Sequence, residues 1–435
     1  MARTLIKDLG GEVGKEVTIQ GWVDVRRDQG KMIFFDFRDR TGKVQGVVLP
    51  ASPAMDTAKT LRSEFVVSIS AKVNARPAKN INEKVQNGTL ELEILTIEVL
   101  SVPKELPFER GAEVNLDTCL DYRPFTLRSE ANKAIFSLQA AILQEYRASL
   151  MRQGFTEFIA PGIVGSDAEG GAAVFTLDYF GHKAHLATSP QFAKQIMMGA
   201  FERVFTVAKI FRAEKSTTTR HISELTQMDF EMGFIKDEGE VLEVLERVVR
   251  DVVEKVSTEH KDVFELLKVP LPKLGKKFPI LTVHEALAKI GAEPADDPNP
   301  EQERAICEWA LTEHDTDFVF ITRFPTKARA FYTYEDPSEA PYSRGFDLLF
   351  RGLEINSGAQ RIHVYDDLVA RIKDRGLKPE NFGFYLQAFK YGMPPHGGCS
   401  TGLERLTMKM LNLENVRETT AFPRDMHRID VSLSE

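Results

Sequence analysis

Charged side chains that could hold a polyphosphate are concentrated in one short stretch of the chain. Arg212 and Glu214 precede a polar loop, and Arg220 and His221 follow it. A planar guanidinium can pair two phosphate oxygens at once, so arginines at this spacing suit phosphate groups. Far downstream, Arg405 adds another arginine at the start of a helix-like run.

The element that must position these residues is a β-hairpin. Apolar, strand-like runs flank the charged stretch at residues 204–210 and 228–235. Two such strands joined by a polar loop predict an antiparallel pair that presents its cations on one surface.

The composition is that of an ordinary globular protein of two or three domains. The chain has 435 residues, 43% hydrophobic and 28% charged, with a net charge of −8. This charge does not indicate a nucleic-acid partner, but a basic face can coexist with an acidic whole. We expect a cytoplasmic protein without a membrane span, since the sequence shows neither a signal peptide nor a long apolar run. Its three cysteines form no metal-binding or disulfide pattern.

Residues 1–103 are predicted to form a small β-barrel. The expected strands are short, rich in β-branched or aromatic residues, and bounded by turn residues. They cover residues 17–25, 32–38, 44–49, 65–73 and 90–100. Five strands in about a hundred residues suit an OB-fold.

The remainder predicts an α+β domain. Residues 104–130 are expected to be a hinge, and residues 131–435 a second domain that mixes strands and helices. Apolar residues recur at helical spacing in 131–152 and 238–256, and the second stripe is assigned to core packing. An insertion is predicted at about 236–343.

One barrel strand could contact RNA. Alternation in this strand places Phe34, Asp36 and Arg38 on the outer face. An exposed ring beside hydrogen-bonding groups is how OB-folds stack unpaired bases, and Arg26 nearby could bind phosphate. The residues alone leave open a second interpretation, in which a loop or another domain covers Phe34.

Several segments resemble class II aminoacyl-tRNA synthetases. The stretch from Arg212 to His221 resembles motif 2, and Gly402 to Arg405 resembles motif 3. Residues 154–161 resemble motif 1, which implies a homodimer. Residues 21–45 resemble the anticodon-binding domain of aspartyl-, asparaginyl- and lysyl-tRNA synthetases. The whole chain resembles the compact archaeal and eukaryal aspartyl type, which implies that residues 131–435 form a catalytic domain with an antiparallel sheet flanked by helices.

The resemblance implies an ATP site. Arg212 would hold the α-phosphate and, with Arg405, would be catalytic. Glu214 would recognise adenine or the amino-acid side, while Arg220, His221 and Arg405 would hold the γ-phosphate of a bent ATP. Further ATP contacts are implied at Ile222, Glu354, Gly402, Leu403 and Glu404.

The resemblance also implies an L-aspartate pocket and a magnesium site. Lys194 and Arg361 would pair the side-chain carboxylate, and an amide would leave both cations poorly paired. Asp347 and Glu354 would bind Mg²⁺ with support from Ser357, because carboxylates and phosphate oxygens are its usual ligands. Other aspartate contacts are implied at Glu169, Gln191, Arg212 and Ser357.

The implied reaction is that of an aspartate–tRNA ligase. It activates L-aspartate with ATP to aspartyl-adenylate and transfers the aspartyl group to the 3′ end of tRNA(Asp). By resemblance, Phe34 stacks on an anticodon base and Gln45 reads one; Arg26, Pro77 and Ala78 are assigned to the same surface.

Departures from the family pattern leave some points open. They lie at Asp24, Ala172, Ala173, Leu225, Cys399, Ser400 and Thr401. The compact archaeal-type architecture without the standard bacterial insertion, together with variation at Asp24 and around Pro77 and Ala78, predicts that tRNA(Asn) is charged as well. The other departures concern ATP affinity and loop closure. Two further interpretations are an asparagine synthetase, which would need no RNA-binding domain, and an inactive tRNA-binding paralogue, which would not need the arginines.

Overall fold

The computed structural model describes residues 2–83, 85–165, 173–215 and 218–433. The chain divides into two compact units, Met1–Glu109 and Arg110–Glu435. No helix within the described part of the chain is long and apolar enough to cross a membrane.

The first unit is a closed barrel of five strands. They are β1 (Glu16–Asp28), β2 (Ile33–Arg38), β3 (Lys43–Val48), β4 (Val66–Ala75) and β5 (Leu90–Ser101). The strand order is β1-β2-β3-β5-β4, with β3 and β5 parallel and the other pairs antiparallel. Helix α1 (Met55–Thr60) follows β3. The predicted five-stranded barrel is therefore confirmed.

Two charged residues of the barrel, Asp24 and Arg38, are buried. Arg38, expected on the outer face, is buried and pairs with Asp24 at 3.0 Å and with Glu64. Asp24 is itself buried, and its other oxygen lies 3.0 Å from Lys43 Nζ. Arg38 keeps the regular alternation of β2 but is covered by Asp24 and Glu64. Asp24 lies at an irregularity of β1 between Val23 and Val25, where an extra residue shifts the alternation of that strand.

The second unit is built on an eight-stranded sheet and a smaller three-stranded one. Its strands are β6 (Thr156–Glu157), β7 (Ile163–Val164), β8 (Thr176–Tyr179), β9 (His182–Leu186), β10 (Arg203–Phe211), β11 (Glu224–Gly233), β12 (Ile280–Thr282), β13 (Phe318–Thr322), β14 (Gly345–Phe350), β15 (Leu353–Gln360) and β16 (His396–Gly402). The large sheet has the order β12-β13-β14-β15-β16-β11-β10-β6, and β7-β9-β8 form the small one. The predicted hairpin is the antiparallel pair β10–β11. The large sheet is antiparallel in its centre, with one parallel pair at each edge.

Helices cover this sheet. They are α2 (Leu116–Asp121), α3 (Arg123–Thr126), α4 (Glu130–Arg152), α5 (Gln191–Phe201), α6 (Gly239–Glu259), α7 (Lys261–Leu267), α8 (Val283–Lys289), α9 (Pro300–His314), α10 (Tyr365–Asp374), α11 (Gly383–Lys390) and α12 (Leu403–Met410). The Ser129 side chain caps α4 by accepting from Asn132 N. The apolar faces of α4 and α6 share one core with the sheet, so core packing of the α6 stripe is confirmed. Strands β12 and β13, which fall within residues 236–343, extend the same sheet.

Candidate active site

A cavity of about 870 Å³ lies over the centre of the large sheet. The β10–β11 hairpin, β15, the β16–α12 junction and residues 327–333 all contribute to its wall. It brings together most residues that the sequence assigned to ATP and aspartate. Those that line it are Gln191, Lys194, Arg212, Glu214, Arg220, His221, Ile222, Glu354, Ser357, Arg361, Gly402, Glu404 and Arg405. Glu169 lies outside the described residues.

The end of the cavity that the sequence assigned to the amino acid, called the amino-acid end, is a buried charge network around Lys194. Its Nζ lies 2.9 Å from Asp229 Oδ2 and 3.4 Å from Glu231 Oε2, and it donates to Cys399 O at 3.2 Å. Ser400 Oγ donates to Asp229 Oδ1 at 2.8 Å. The side chains of the lysine and both carboxylates are at most 1% exposed. A buried charge needs such partners, because an unpaired one would be strongly destabilising.

Arg361 completes this network. Its Nε donates to Glu231 Oε1 at 2.9 Å, and its Nη2 donates to Gly398 O at 2.9 Å. The guanidinium lies 5.4 Å from the centre of the Tyr332 ring. Burial alone would raise the pKa of Glu231, but the charges of Arg361 and Lys194 hold that pKa below its usual value. Both cations are thus held in place by the protein's own carboxylates.

A neutral hydrogen-bonded chain supports the amino-acid end. Gln191 donates to Gln195 at 2.9 Å, and Tyr385 OH donates to the same Gln195 oxygen at 2.9 Å. Gln195 Nε2 lies 2.7 Å from His396 Nε2, and His396 Nδ1 lies 2.8 Å from Pro394 O. Burial lowers the pKa of His396 to about 4, so this ring is neutral at pH 7.

The opposite end of the cavity carries cations that are less deeply buried. Arg220 pairs with Glu303 of α9 at 2.9 Å, and Arg405 Nη1 lies 3.4 Å from Glu354 Oε2. The side chains of these arginines are 23% and 24% exposed. Burial, followed by the charges of Arg405 and Arg212, lowers the pKa of His221. This end is rich in donors that suit phosphate oxygens.

The predicted metal residues lie on the neighbouring strands β14 and β15, and Glu354 is the partner of Arg405. Asp347 and Ser357 are directly opposite each other on β14 and β15. Asp347 Oδ2 accepts from Arg329 Nη2 at 2.7 Å, while Asp347 Oδ1 is buried and has no hydrogen-bond partner. Burial, followed by the charge of Asp347, raises the pKa of Glu354 to about 7.

These carboxylates fit Mg²⁺ that arrives with a nucleotide. Two carboxylates close enough to repel each other, one with an unpaired buried oxygen, would both be stabilised by a divalent cation. Within the described ranges, no group of three or more His, Cys, Asp or Glu residues could hold a metal. Phosphate oxygens and water would therefore complete the shell, as Mg²⁺ commonly requires.

Two ATP-assigned residues of motif 3 make internal contacts. The Leu403 side chain lies in the main hydrophobic core. Both carboxylate oxygens of Glu404 accept from Thr226 N at 3.0 Å, so this side chain ties α12 to β11. Among the departures from the family pattern, Ser400 holds Asp229, and Thr401 accepts from Asn356 Nδ2 at 2.7 Å.

Sequence reasoning missed four charged residues of the site: Asp229, Glu231, Glu303 and Arg329. Asp229 and Glu231 could have been recognised, because two acids separated by one residue in an otherwise apolar strand point to one face. Glu303 and Arg329 gave no such signal, since they reach the site through long-range packing.

The barrel has a polar outer surface beside Phe34. This ring is half-buried and lies opposite Arg27 of β1. Arg27 donates to both carboxylate oxygens of Asp36, at 2.7 and 2.8 Å. Gln45 donates to Glu91 at 2.6 Å. Of the other residues assigned to RNA, Arg26 pairs with Asp28, and Pro77 and Ala78 are exposed.

Two family models match the chain. The model described as tRNA synthetases class II (D, K and N) matches residues 115–426. The model described as OB-fold nucleic acid binding domain matches residues 17–100. Together they account for both compact units.

Individual relatives cover nearly the whole chain. An aspartate–tRNA(Asp/Asn) ligase of Thermus thermophilus is 42% identical over 440 residues, covering 98% of this chain and 99% of the relative. An aspartate–tRNA(Asp) ligase of Pyrococcus horikoshii is 37% identical over 425 residues, covering 96% of each. The crystal structure of asparaginyl-tRNA synthetase from Pyrococcus horikoshii with asparaginyl-adenylate matches with a TM-score of 0.91 and 30% identity, covering 99% of each chain. The fold is therefore common to proteins named for aspartate and for asparagine.

Proposed function

Because the chain belongs to the class II aminoacyl-tRNA synthetases of the D, K and N group, we propose that it is an aspartate–tRNA ligase. The observation that carries this choice is the buried pair Lys194 and Arg361 at one end of the cavity. Asp229 and Glu231 already pair these cations, so an amide would not leave them unpaired as the sequence argument expected. A carboxylate can accept hydrogen bonds from both cations with its two oxygens, whereas an asparagine amide offers them one neutral oxygen. Both ligases named among the relatives act on aspartate.

The amino-acid end would hold L-aspartate in one orientation. Lys194 and Arg361 would receive its side-chain carboxylate, and Gln191 and Ser357 would contribute polar contacts from the wall of the cavity. Glu169 is proposed for the substrate ammonium by resemblance. The buried carboxylates of Asp229 and Glu231 fix the two cations, so substrate binding requires little rearrangement.

The opposite end would hold a bent ATP. Arg212 would face the α-phosphate, and Arg220, His221 and Arg405 the γ-phosphate. Other proposed ATP contacts are Glu214, Ile222, Glu354, Gly402, Leu403 and Glu404. Leu403 and Glu404 would contact the nucleotide through their backbone atoms, because both side chains make contacts within the protein.

Catalysis would rest on positioning and charge stabilisation. The aspartate α-carboxylate attacks the α-phosphorus, the bond to the β-phosphate oxygen breaks, and pyrophosphate leaves. Arg212 would stabilise the charge that develops at phosphorus. Mg²⁺ held by Asp347, Glu354 and Ser357 would neutralise phosphate charge when bound. The terminal ribose hydroxyl of tRNA then attacks the adenylate and releases AMP.

The barrel would read the tRNA anticodon. Phe34 would stack on a base and Gln45 would hydrogen-bond one, with Arg26, Pro77 and Ala78 beside them. We propose tRNA(Asp) as the main substrate and tRNA(Asn) as a second one, since the Thermus thermophilus relative is named for both. The burial of Asp24 removes one argument for this tolerance, because that side chain is enclosed by Arg38 and Lys43.

Phe34→Ala should test the RNA surface. Loss of one stacking ring should weaken tRNA charging by about 1–3 kcal/mol and leave adenylate formation unchanged. The measurement is aspartyl-tRNA formation beside tRNA-independent pyrophosphate exchange. An equal fall in both would show that Phe34 supports the fold instead.

The proposal extends to a homodimer that is located in the cytoplasm. We expect a homodimer, because residues 154–161 resemble motif 1 and include Ile159, which is 87% exposed in the single chain. We expect the cytoplasm, where tRNA, ATP and aspartate occur together. A monomeric mass in equilibrium sedimentation would contradict the proposed dimer but not the proposed reaction.

Aspartate-dependent exchange of pyrophosphate into ATP tests the reaction itself. Exchange that requires aspartate, and is at least about a hundredfold slower with asparagine, supports the proposal. Exchange driven equally well by asparagine would contradict it. Charging of purified tRNA(Asp) and tRNA(Asn) transcripts at one salt concentration then tests the two RNA substrates, since salt strongly affects RNA affinity. A preference for tRNA(Asp) above about a hundredfold, or 2.7 kcal/mol, would exclude tRNA(Asn).

A further inference from the structure

One cation of the cavity binds the residues proposed to hold the metal. Arg329 lines the cavity, and its Nη2 donates to Asp347 Oδ2 at 2.7 Å. Its Nη1 donates to Ser357 Oγ at 3.2 Å. The guanidinium lies 3.7 Å from the centre of the Phe324 ring, and the side chain is 17% exposed. The structure therefore holds this guanidinium in place from three directions.

The backbone at this position is also anchored. Arg329 follows a short 3-10 turn, Thr326–Ala328. Arg375, immediately after α10, donates to Lys327 O at 3.0 Å and to Arg329 O at 2.9 Å. The backbone of Arg329 is therefore held in place in the wall of the cavity.

The position of Arg329 puts it in competition with a metal ion. Asp347 Oδ2 is taken by the guanidinium, whereas Oδ1 is buried without a partner. A divalent cation at Asp347 and Ser357 would meet the positive charge of Arg329 within a few ångströms, where like charges repel. Bound ATP changes this balance, because its phosphates offer the guanidinium another anionic partner.

We propose that Arg329 is a positioning residue that neutralises Asp347 while no metal is bound and turns to the polyphosphate when Mg²⁺ takes that carboxylate. The inference rests on the proposed function, which assigns ATP to this cavity. Arg329 then opposes binding of metal alone and favours binding of metal together with ATP. Binding of the metal and binding of ATP are thereby coupled. The metal takes Asp347 and frees Arg329 for the phosphates, and ATP takes Arg329 and frees Asp347 for the metal.

The test compares three variants with the wild-type chain. Arg329→Gln removes the charge, and Arg329→Lys keeps it. Arg323→Gln is the matched control, because Arg323 is a partly buried arginine of the same segment that pairs with Glu238 and Glu339 away from the cavity. Binding of Mn²⁺ without nucleotide is measured by electron paramagnetic resonance. The KM values for ATP and aspartate are then measured by pyrophosphate exchange at saturating Mg²⁺.

We expect opposite effects on the two ligands. Arg329→Gln should bind Mn²⁺ about five- to tenfold more tightly and raise the KM for ATP about tenfold, with the KM for aspartate unchanged. Arg329→Lys should keep Mn²⁺ affinity near that of the wild type, and Arg323→Gln should leave both ligands unaffected.

Unchanged or weaker Mn²⁺ binding by Arg329→Gln would overturn the inference, as would a parallel rise in the KM for aspartate. The Mn²⁺ titration needs neither aspartate nor tRNA. It therefore stays informative if exchange proves independent of aspartate, which is the outcome that would remove the proposed function.

Discussion

The two ends of the cavity hold their cations in different ways. At the amino-acid end, Lys194 and Arg361 are at most 5% exposed and share the fully buried Glu231. At the phosphate end, the side chains of Arg220 and Arg405 are 23% and 24% exposed, and each pairs with its own carboxylate. One end is a closed network, and the other is a set of separate pairs.

This difference corresponds to what each end would have to recognise. A small amino acid is distinguished from its amide by a fixed arrangement of charge, and burial keeps that arrangement rigid. A polyphosphate with its metal brings large charges of both signs, so pairs at that end can exchange partners. We therefore expect changes at the amino-acid end to affect folding stability and aspartate binding, and changes at the phosphate end to affect ATP and the reaction rate.

The largest expected effect is on folding stability. Glu231→Ala should lower the free energy of unfolding by about 3–5 kcal/mol, because it leaves the buried Arg361 without its carboxylate partner. Glu303→Ala, which breaks the partly exposed pair with Arg220, should lower it by about 1 kcal/mol or less. Urea unfolding of both variants measures the contrast. Equal losses would show that the two ends do not differ in the way described.

Arg212→Ala should separate the reaction from stability. Loss of charge stabilisation at the α-phosphate should slow adenylate formation by about a hundredfold or more, equivalent to about 2.7 kcal/mol. Single-turnover formation of adenylate measures the rate, and urea unfolding should show little change. A normal rate of adenylate formation by this variant would show that Arg212 is not a catalytic residue.

The free energy of unfolding should depend on pH through His396, which belongs to the hydrogen-bonded chain that supports the amino-acid end. The pKa of His396 is about 4 in the folded chain, against about 6.5 when unfolded. Between these two values His396 is protonated in the unfolded chain but neutral in the folded chain. Its contribution to the free energy of unfolding is therefore fully present above about pH 6.5 and decreases as the pH falls towards 4. By pH 5 the loss should be on the order of 2 kcal/mol.

Urea unfolding at pH 7 and pH 5 checks this effect. His396→Gln should remove that part of the pH dependence while keeping a hydrogen-bonding side chain near Gln195. The same slope in the variant and the wild type would assign the pH dependence to other groups.

Lys194→Ala should weaken aspartate binding while leaving ATP binding nearly unchanged. We expect the KM for aspartate to rise at least about tenfold, or 1.4 kcal/mol, since one of two cations facing the carboxylate is lost. Lys209→Ala, at a half-exposed pair on β10, is the matched control and should leave both KM values unchanged. An unaltered aspartate KM in Lys194→Ala would remove the assignment.

The sequence predicted those parts of the molecule that depend on local patterns. Alternating strands gave the barrel, and the charged hairpin flanked by apolar runs gave β10–β11. Alternation did not predict the burial of Arg38, because Asp24 and Glu64 cover this side chain with buried ion pairs. Local patterns also could not indicate Arg329, since its neighbours Asp347 and Ser357 are brought to it by the order of strands in the sheet.

A crystal structure with aspartate, Mg²⁺ and a non-hydrolysable ATP analogue would test the contrast between the two ends most directly. We predict that Lys194 stays within hydrogen-bonding distance of Asp229, and Arg361 within that of Glu231. We predict that Arg329 leaves Asp347 for a phosphate oxygen. An intact pair between Arg329 and Asp347, together with separated pairs at Lys194 and Arg361, would contradict this account.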